Sequence, residues 1–383
     1  MKAGWATKPL GEVASVIMGQ SPPGETYNTE GIGLPFFQGK AEFGDEFPSV
    51  VKWCTAPSRV AEPGDVLLSV RAPVGPTNIA EERCCIGRGL AAIRGRESLV
   101  SNRYLRHFLR RFEIDVARQG VGSTFTAINR GDIERLKIPL PAVPEQERIV
   151  SILDAAEELR RLRAQADRRT ADLIPALFYH MFGDTEKRNE RWEFARLNQL
   201  CEIRGGGTPS TKHREYWEGD IPWVSPKDMD AMTVEDAQDH ITAEAITNSA
   251  TNLIPSGSVV VVTRSGILKH TFPVAITMRP VAINQDLKAL IPRMNLDPWF
   301  LAVQLKARSS AILNMVRTGA TVQNLQTLFL SNFLLVCPPL ALQRQFAARV
   351  QEIRALEARQ AESRRRLDDL FQSLLHRAFR GEL

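Results

Sequence analysis

The chain has 383 residues, 43% of them hydrophobic and 24% charged, which excludes a disordered class and is too long for one ordinary core, so two or more domains are expected. No apolar run approaches the roughly 20 residues that span a bilayer, and the start "MKAGWATKPLGEVAS" lacks the apolar stretch of a secretory signal, so a cytoplasmic location with no membrane partner is expected. Five cysteines with no C-x-x-C pair and six scattered histidines speak against a disulfide framework and a zinc site, while a net charge of +5 points only weakly to a polyanionic partner.

In chain order, residues 1–143 form a first body that reads as mixed and mostly β. Strands are expected at 64–71, 86–93 and 136–140, separated by Gly/Pro turns. One amphipathic helix interrupts them. Tyr104, Leu105, Phe108, Leu109 and Phe112 share its apolar face, and Arg103, Arg106 and Arg110 lie opposite, on a face suited equally to solvent or to phosphate. At Pro144 the pattern changes to one long helix, 144–183. Ile149, Ile152, Ala156, Leu159, Ala166, Thr170, Leu173 and Leu177 step by three and four, a coiled-coil seam broken by Arg163. Pro175 predicts a kink or a helix end, because an interior proline loses a backbone hydrogen bond at a cost of about 3 kcal/mol.

After a linker at 184–191 the plan starts again. A shift of 187 superimposes Trp5 on Trp192, Leu10 on Leu197, Gly19 on Gly206, and "LPFFQGK" (34–40) on "IPWVSPK" (221–227). A shift of 193 brings "GDVLLSVR" (64–71) onto "GSVVVVTR" (257–264), and a shift of 196 to 197 pairs Tyr104-Leu105 with Phe300-Leu301, Gly122 with Gly319, Gln146 with Gln343, and Phe182 with Phe379. The second body is therefore 192–338 and the second helix 339–383, with a seam at Phe346, Ile353, Leu356, Gln360, Ser363, Leu367, Leu370 and Leu374. Both seams are apolar at their ends and small or polar in the middle, which favours antiparallel pairing. Charge does not distinguish the bodies as nucleic-acid binders: residues 1–143 carry 18 Lys+Arg against 15 Asp+Glu, and residues 192–338 carry 13 against 13.

Catalytic signatures are missing from the sequence. "GVGSTF" (120–125) lacks the third glycine of a dinucleotide loop, there is no G-x-x-x-x-G-K-[ST], and "LPFF" and "CPPL" lack the amide or carboxylate of a base-methylating site. No catalytic residue, metal ligand or cofactor is expected.

The duplicated bodies, "PLPAVPEQERIVSILD" (139–154), "CPPLALQRQFAARV" (337–350), "GGGTPS" (205–210), "IPWVSPKDM" (221–229) and "AFRGEL" (378–383) together resemble the specificity subunit of type I restriction–modification systems. The resemblance covers nearly the whole chain, although Leu342 stands where the family often has Glu, and "GQSPPG" (19–24) replaces the usual glycine-rich turn. It implies an α+β fold: two pseudo-repeated target recognition domains joined by two long helices pairing as an antiparallel coiled coil. It also implies a non-catalytic reader of double-stranded DNA, in which each body binds one half of a split, asymmetric target. The helices would set the spacing and dock methyltransferase subunits, two being expected, with motor-nuclease restriction subunits added outside. Adenine as the methylated base is implied by the family. The alternative is a duplicated DNA-binding regulator that works without methylase partners.

A helix of about 38 residues rises about 57 Å, and similar bodies on one face of B-DNA sit roughly 34–36 Å apart, which leaves about six or seven unread pairs if each body reads three or four. Base reading needs bidentate Arg, Lys, Asn or Gln, and phosphates take Lys, Arg, Ser and Thr. The DNA-binding candidates, paired by position, are Gln20/Gly207, Ser21/Thr208, Gln38/Ser225, Lys40/Lys227, Arg71/Arg264, Arg88/Gln285 and Thr124/Thr321. Trp5 and Trp192 are expected in the core.

Overall fold

The computed structural model describes residues 5–96, 98–119, 127–185, 191–293, 295–318 and 323–383. By internal contacts the chain divides into two compact units, residues 1–164 with 362–383, and residues 165–361.

The duplication in sequence is a duplication of topology. In the first unit, Ala14–Met18, Leu90–Gly95, Val66–Ser69 and Thr77–Ile79 lie in that order as an antiparallel sheet. In the second, Cys201–Gly205, Leu287–Pro292, Val259–Val262 and Val274–Thr277 repeat the order, with Thr233–Val234 added in parallel at the edge. Val259–Val262 is buried along its whole length, as an unbroken β-branched run requires of a strand covered on both faces. Each unit also has a second sheet with one parallel pair, Leu34–Phe37 beside Cys84–Ile86 and Ile221–Val224 beside Val281–Ile283. A two-stranded ribbon closes each body: Ala6–Pro9 with Lys137–Leu140, and Phe194–Arg196 with Leu334–Val336. Closure brings the last strand beside the first, so the helix that follows leaves from the point where the body began.

One expected strand is corrected. Residues 86–93 are not continuous: Cys84–Ile86 and Leu90–Gly95 belong to different sheets. Between them the chain turns through Gly87–Gly89 and presses against the neighbouring backbone, where a Cβ on Gly89 would sit 2.2 Å from the carbonyl oxygen of Gln38. Only glycine fits there.

The helices Asn102–Gln119 and Pro298–Ala307 sit on the larger sheets, burying Tyr104, Leu105 and Leu109 in one unit and Phe300, Leu301 and Leu305 in the other. The first long helix runs Val143–Ala171, breaks at Asp172, and resumes as Leu173–Phe182. Pro175 accounts for the break, because its ring denies the Ala171 carbonyl a helical donor. With Gln372 at the matching place, the second helix runs unbroken from Leu340 to Ala378.

Within each unit the start of one helix packs on the end of the other, so they pair antiparallel. Ile149, Leu153 and Ala156 share a core with Phe371, Leu375 and Phe379, and Ile174, Phe178 and Phe182 share one with Phe346 and Val350. Arg160 Nε meets Asp368 at 2.6 Å, and Gln360 Nε2 donates to Thr170 at 2.9 Å. The seam is corrected in part: Leu159, Leu173 and Leu370 are exposed, and Leu153, Ile174, Phe178, Phe182 and Phe371 take the inward places. Trp5 and Trp192 are half-buried against the cores, as expected.

The glutamine of the repeated proline-flanked motif now has a physical role. Gln146 is fully buried; its Nε2 donates to the carbonyls of Leu99 (2.8 Å) and Pro141 (3.0 Å), and its Oε1 accepts from the Ser101 amide. Gln343 repeats this with Asn295, Pro338 and the Asp297 amide. Each side-chain amide thus satisfies three backbone groups where the helix leaves its body.

Candidate nucleic-acid interface

Four backbone segments meet in the first body to form an open cleft of about 690 Å³, lined by Ser21, Gln38, Lys40, Arg71 and Arg88 among others. These are five of the seven first-body candidates, and they come from positions 67 residues apart in sequence. The fold collects them through backbone hydrogen bonds around the turn: Gln20 N to Ile86 O, Gly87 N to Phe37 O, and Val70 N to Gly89 O. Arg71 lies just past the strand Val66–Ser69 and is held by a bridge to Ala127. Lys40, Arg71 and Arg88 are exposed, and none of them makes a salt bridge among the described residues. Three cations against the single lining carboxylate of Glu42 leave the concave site net positive, which attracts an anion.

The second body builds the same place. A cleft of about 320 Å³ is lined by Pro226, Arg264, Ser265, Gly266, Gln285 and Asp286. The matching hydrogen bonds are Gly207 N to Ile283 O, Asn284 N to Val224 O, and Thr263 N to Asp286 O. Its charge is more balanced. Lys227 Nζ lies 2.7 Å from Asp239, a bond that raises the ammonium pKa, and Arg264 Nε is 3.9 Å from Asp286. Thr208 donates its hydroxyl hydrogen to Gln285 Oε1.

Two candidates are corrected. Ser225 is buried, its hydroxyl bonded to Asp228 Oδ2 at 2.9 Å to cap the turn Pro226–Asp228. Gly207 is buried too, and its carbonyl accepts from Trp223 Nε1 at 3.0 Å. Both are turned inward, away from the surface of the second cleft. Gln20 is exposed but does not line the cleft, and Thr124 and Thr321 lie outside the described residues. Sequence reasoning missed Ser265 and Gly266 in the second cleft; their place immediately after Arg264 was the available signal.

The arginine face of Asn102–Gln119 packs against the first long helix, with Arg103 still exposed at its edge and Arg106 buried. Arg103 pairs with Asp154 at 3.0 Å, Arg106 with Glu157 at 3.2 Å, and Arg110 also with Glu157. His107 Nε2 lies 2.8 Å from Asp154. Burial lowers the pKa of His107 and of Arg106, and pushes Arg110 down to about 10 with help from the nearby guanidinium groups. Burial also works against the Asp154 carboxylate, but the His107 hydrogen bond and the neighbouring arginines outweigh it and hold that pKa below the ordinary value. His107, Asp154 and Glu157 come within 4.8 Å of one another, close enough for a metal ion. Their positive charge is already supplied by three arginines, so the cluster is a clamp between body and helix.

Residues 2–166 and 189–363 both match the family described as the type I restriction modification DNA specificity domain. The chain belongs to that family. Among its relatives, a chain provisionally named the type I restriction enzyme MjaX specificity subunit of Methanocaldococcus jannaschii is 43% identical over 161 residues, 42% of this chain and 38% of that one. The EcoR124I/EcoR124II specificity subunit of Escherichia coli is 35% identical over 215 residues, 54% of this chain and 52% of the relative. The chain thus spans about half the length, or less, of these curated relatives. Two solved structures share the fold end to end. One, from work on complex assembly and conformational transition of the type I R-M system, has a TM-score of 0.67 at 22% identity and covers 100% of this chain and 99% of its own. The S subunit of a type I restriction–modification system from M. genitalium has a TM-score of 0.60 at 14% identity, covering 99% and 96%. Among the described residues, no helix is long and apolar enough to cross a membrane.

Proposed function

We propose that this chain is the DNA sequence-specificity subunit of a type I restriction–modification complex. The bodies 1–143 and 192–338 each bind one half of an asymmetric split target, with Ser21, Gln38, Lys40, Arg71 and Arg88 facing DNA in one and Thr208, Lys227, Arg264 and Gln285 in the other. The paired helices set the gap between half-sites and dock methyltransferase subunits, to which motor-nuclease subunits add. The chain itself performs no chemistry; methyl transfer and cleavage belong to its partners.

The observation that carries this reading is the pair of equivalent cation-bearing clefts in one duplicated chain of this family. A site built twice from matching backbone bonds and lined by different side chains suits two related but unlike half-sites. The test is to map methylated positions in DNA from cells carrying the complete system, alongside methyl transfer by the purified chain alone. A two-part, non-palindromic motif with a fixed gap, and no transfer without added modification subunits, is expected. An uninterrupted motif, or methylation by the chain unaided, would overturn the reading.

A further inference from the structure

The two clefts share an arginine at one matched position and differ at others. Arg71 and Arg264 line them at matching places; Lys40 and Ser21 line the first, and their sequence counterparts Lys227 and Thr208 are not among the residues lining the second. Groups that both bodies share suit what every DNA sequence shares, its phosphates. The matching pair Gln38/Ser225 differs, but Ser225 is buried as a turn cap and offers nothing to a ligand. Arg88 and Gln285 are a matched pair of exposed polar side chains that differ in chemistry and line a cleft in both bodies.

Their backbones are held alike. Arg88 follows Gly87 in a turn closed by Leu90 N to Gly87 O at 3.0 Å, and Gln285 follows Asn284 in a turn closed by Leu287 N to Asn284 O at 3.3 Å. The residue after each is fixed to the larger sheet, Gly89 O accepting from Val70 N and Asp286 O from Thr263 N. A hydroxyl from the matching segment engages both positions: Ser21 Oγ accepts from the Arg88 amide at 3.3 Å, and Thr208 donates to the Gln285 side chain. So each side chain projects from the apex of a turn anchored on every side, a rigid mounting for a recognition group.

Resting on the specificity-subunit reading, we infer that residues 88 and 285 are the matched base-reading positions of the two bodies, Arg88 taking a guanine in one half-site and Gln285 an adenine in the other. A guanidinium presents two parallel donors to the O6 and N7 acceptors of guanine in the major groove. A glutamine amide donates through Nε2 to adenine N7 and accepts from the N6 amino group. Thr208 occupies one lone pair of Gln285 Oε1 and thereby orients the amide, leaving the second lone pair and both Nε2 hydrogens for the base.

The experiment uses the full chain in its modification complex, selected against a randomised pool of double-stranded oligonucleotides, with wild type, Arg88→Gln and Gln285→Arg compared. Arg88→Gln is expected to change one position of one half-site from guanine to adenine, with discrimination on the order of tenfold or more, and to leave the other half-site as it was. Gln285→Arg is expected to make the reverse change in the other half-site. Should Arg88→Gln fail to fold, the Gln285→Arg selection decides alone. Weakening of all sequences alike marks a phosphate contact and overturns the inference, as does an unchanged motif in both variants. If the wild-type complex selects no sequence, it is the underlying functional reading that fails.

Discussion

The two places where a body meets a long helix follow one plan and use opposite chemistry. In the first unit Arg106 and His107 face Glu157 and Asp154. In the second unit the matching places hold Ala302 and Val303, with Gln351 and Arg354 on the helix. Arg354 lies 5.9 Å from the Trp299 ring, and Phe300 packs among Phe178, Phe182 and Phe346. What stays constant is the glutamine latch and a phenylalanine from the far helix, Phe379 against Tyr104 and Phe108, and Phe182 against Phe300. The backbone connection is the fixed part of the junction. The side-chain chemistry around it varies: ion pairs at the first junction, and aromatic packing with Arg354 over the Trp299 ring at the second, serve one geometry.

The largest expected effects come from the shared aromatic anchors. Truncating a buried phenylalanine costs about 3–5 kcal/mol. Phe182→Ala should fall at the upper end, since its ring meets Phe178, Phe300, Phe346 and Trp192, and Phe379→Ala at the lower, with two ring neighbours. Hydrogen exchange read separately in Asn102–Gln119 and Pro298–Ala307 measures both, and the reverse order would break the ranking.

Next come the latches. Gln146→Leu and Gln343→Leu each strand three backbone groups in the interior, at about 3 kcal/mol. Because the geometry is the same in both units, the two losses should agree closely by the same measurement. A clear inequality would mean that the surrounding chemistry, ionic or apolar, carries part of the connection.

Acid should separate the two junctions by sign. The Asp154 pKa is depressed in the folded chain, so its stabilisation is present at neutral pH and is lost as pH falls through the folded value. His107 is also depressed; below about 6.5 the unfolded chain takes up a proton that the folded one refuses, and stability falls again. Asp297, at the second junction, is shifted the other way, since burial raises it despite the amides of Trp299 and Phe300. A raised carboxyl favours the folded state as pH falls. Protection of Asn102–Gln119, corrected for intrinsic exchange, should therefore drop between pH 7 and 4 while that of Pro298–Ala307 holds or rises; parallel losses would refute the assignment.

The duplication, the two bodies and the antiparallel helices were legible because each rests on a period or a repeat that the chain writes twice. The partners of polar side chains were not. Arg106 meets Glu157 across 51 residues, and nothing local to Arg106 distinguishes that acid from solvent or phosphate. Ser225 and Lys227 are two residues apart in one motif, yet one is turned inward as a cap and the other outward, a difference set by the tight turn between them. Five first-body candidates converge because strand exits and turns gather at one edge of the sheets, which places polar residues there together whatever each one does. The 86–93 segment misled because its apolar alternation continues through a change of sheet, and only the glycines at 87 and 89 mark the crossing.

The smallest effect concerns the one interruption that distinguishes the two helices. Pro175 is the third residue of Leu173–Phe182, within the first turn, where a missing amide hydrogen costs little. Beyond it the helical ladder resumes, with Ala176 N bonded to Asp172 O at 3.0 Å. Pro175→Ala restores at most one hydrogen bond, from residue 175 to the Ala171 carbonyl, worth about 1 kcal/mol. It also frees the unfolded chain, an opposing term of about 0.4–1 kcal/mol. The net change should stay below about 0.5 kcal/mol, with a small gain in helix content by circular dichroism. The break has a second consequence, because it shifts the phase of the apolar stripe so that Ile174, Phe178 and Phe182 face the core while Leu173 is exposed. If Pro175→Ala destabilises that segment by about 2 kcal/mol or more, far beyond the propensity terms, the phase shift itself holds the second junction together. The first helix would then need its interruption as much as the second needs its continuity.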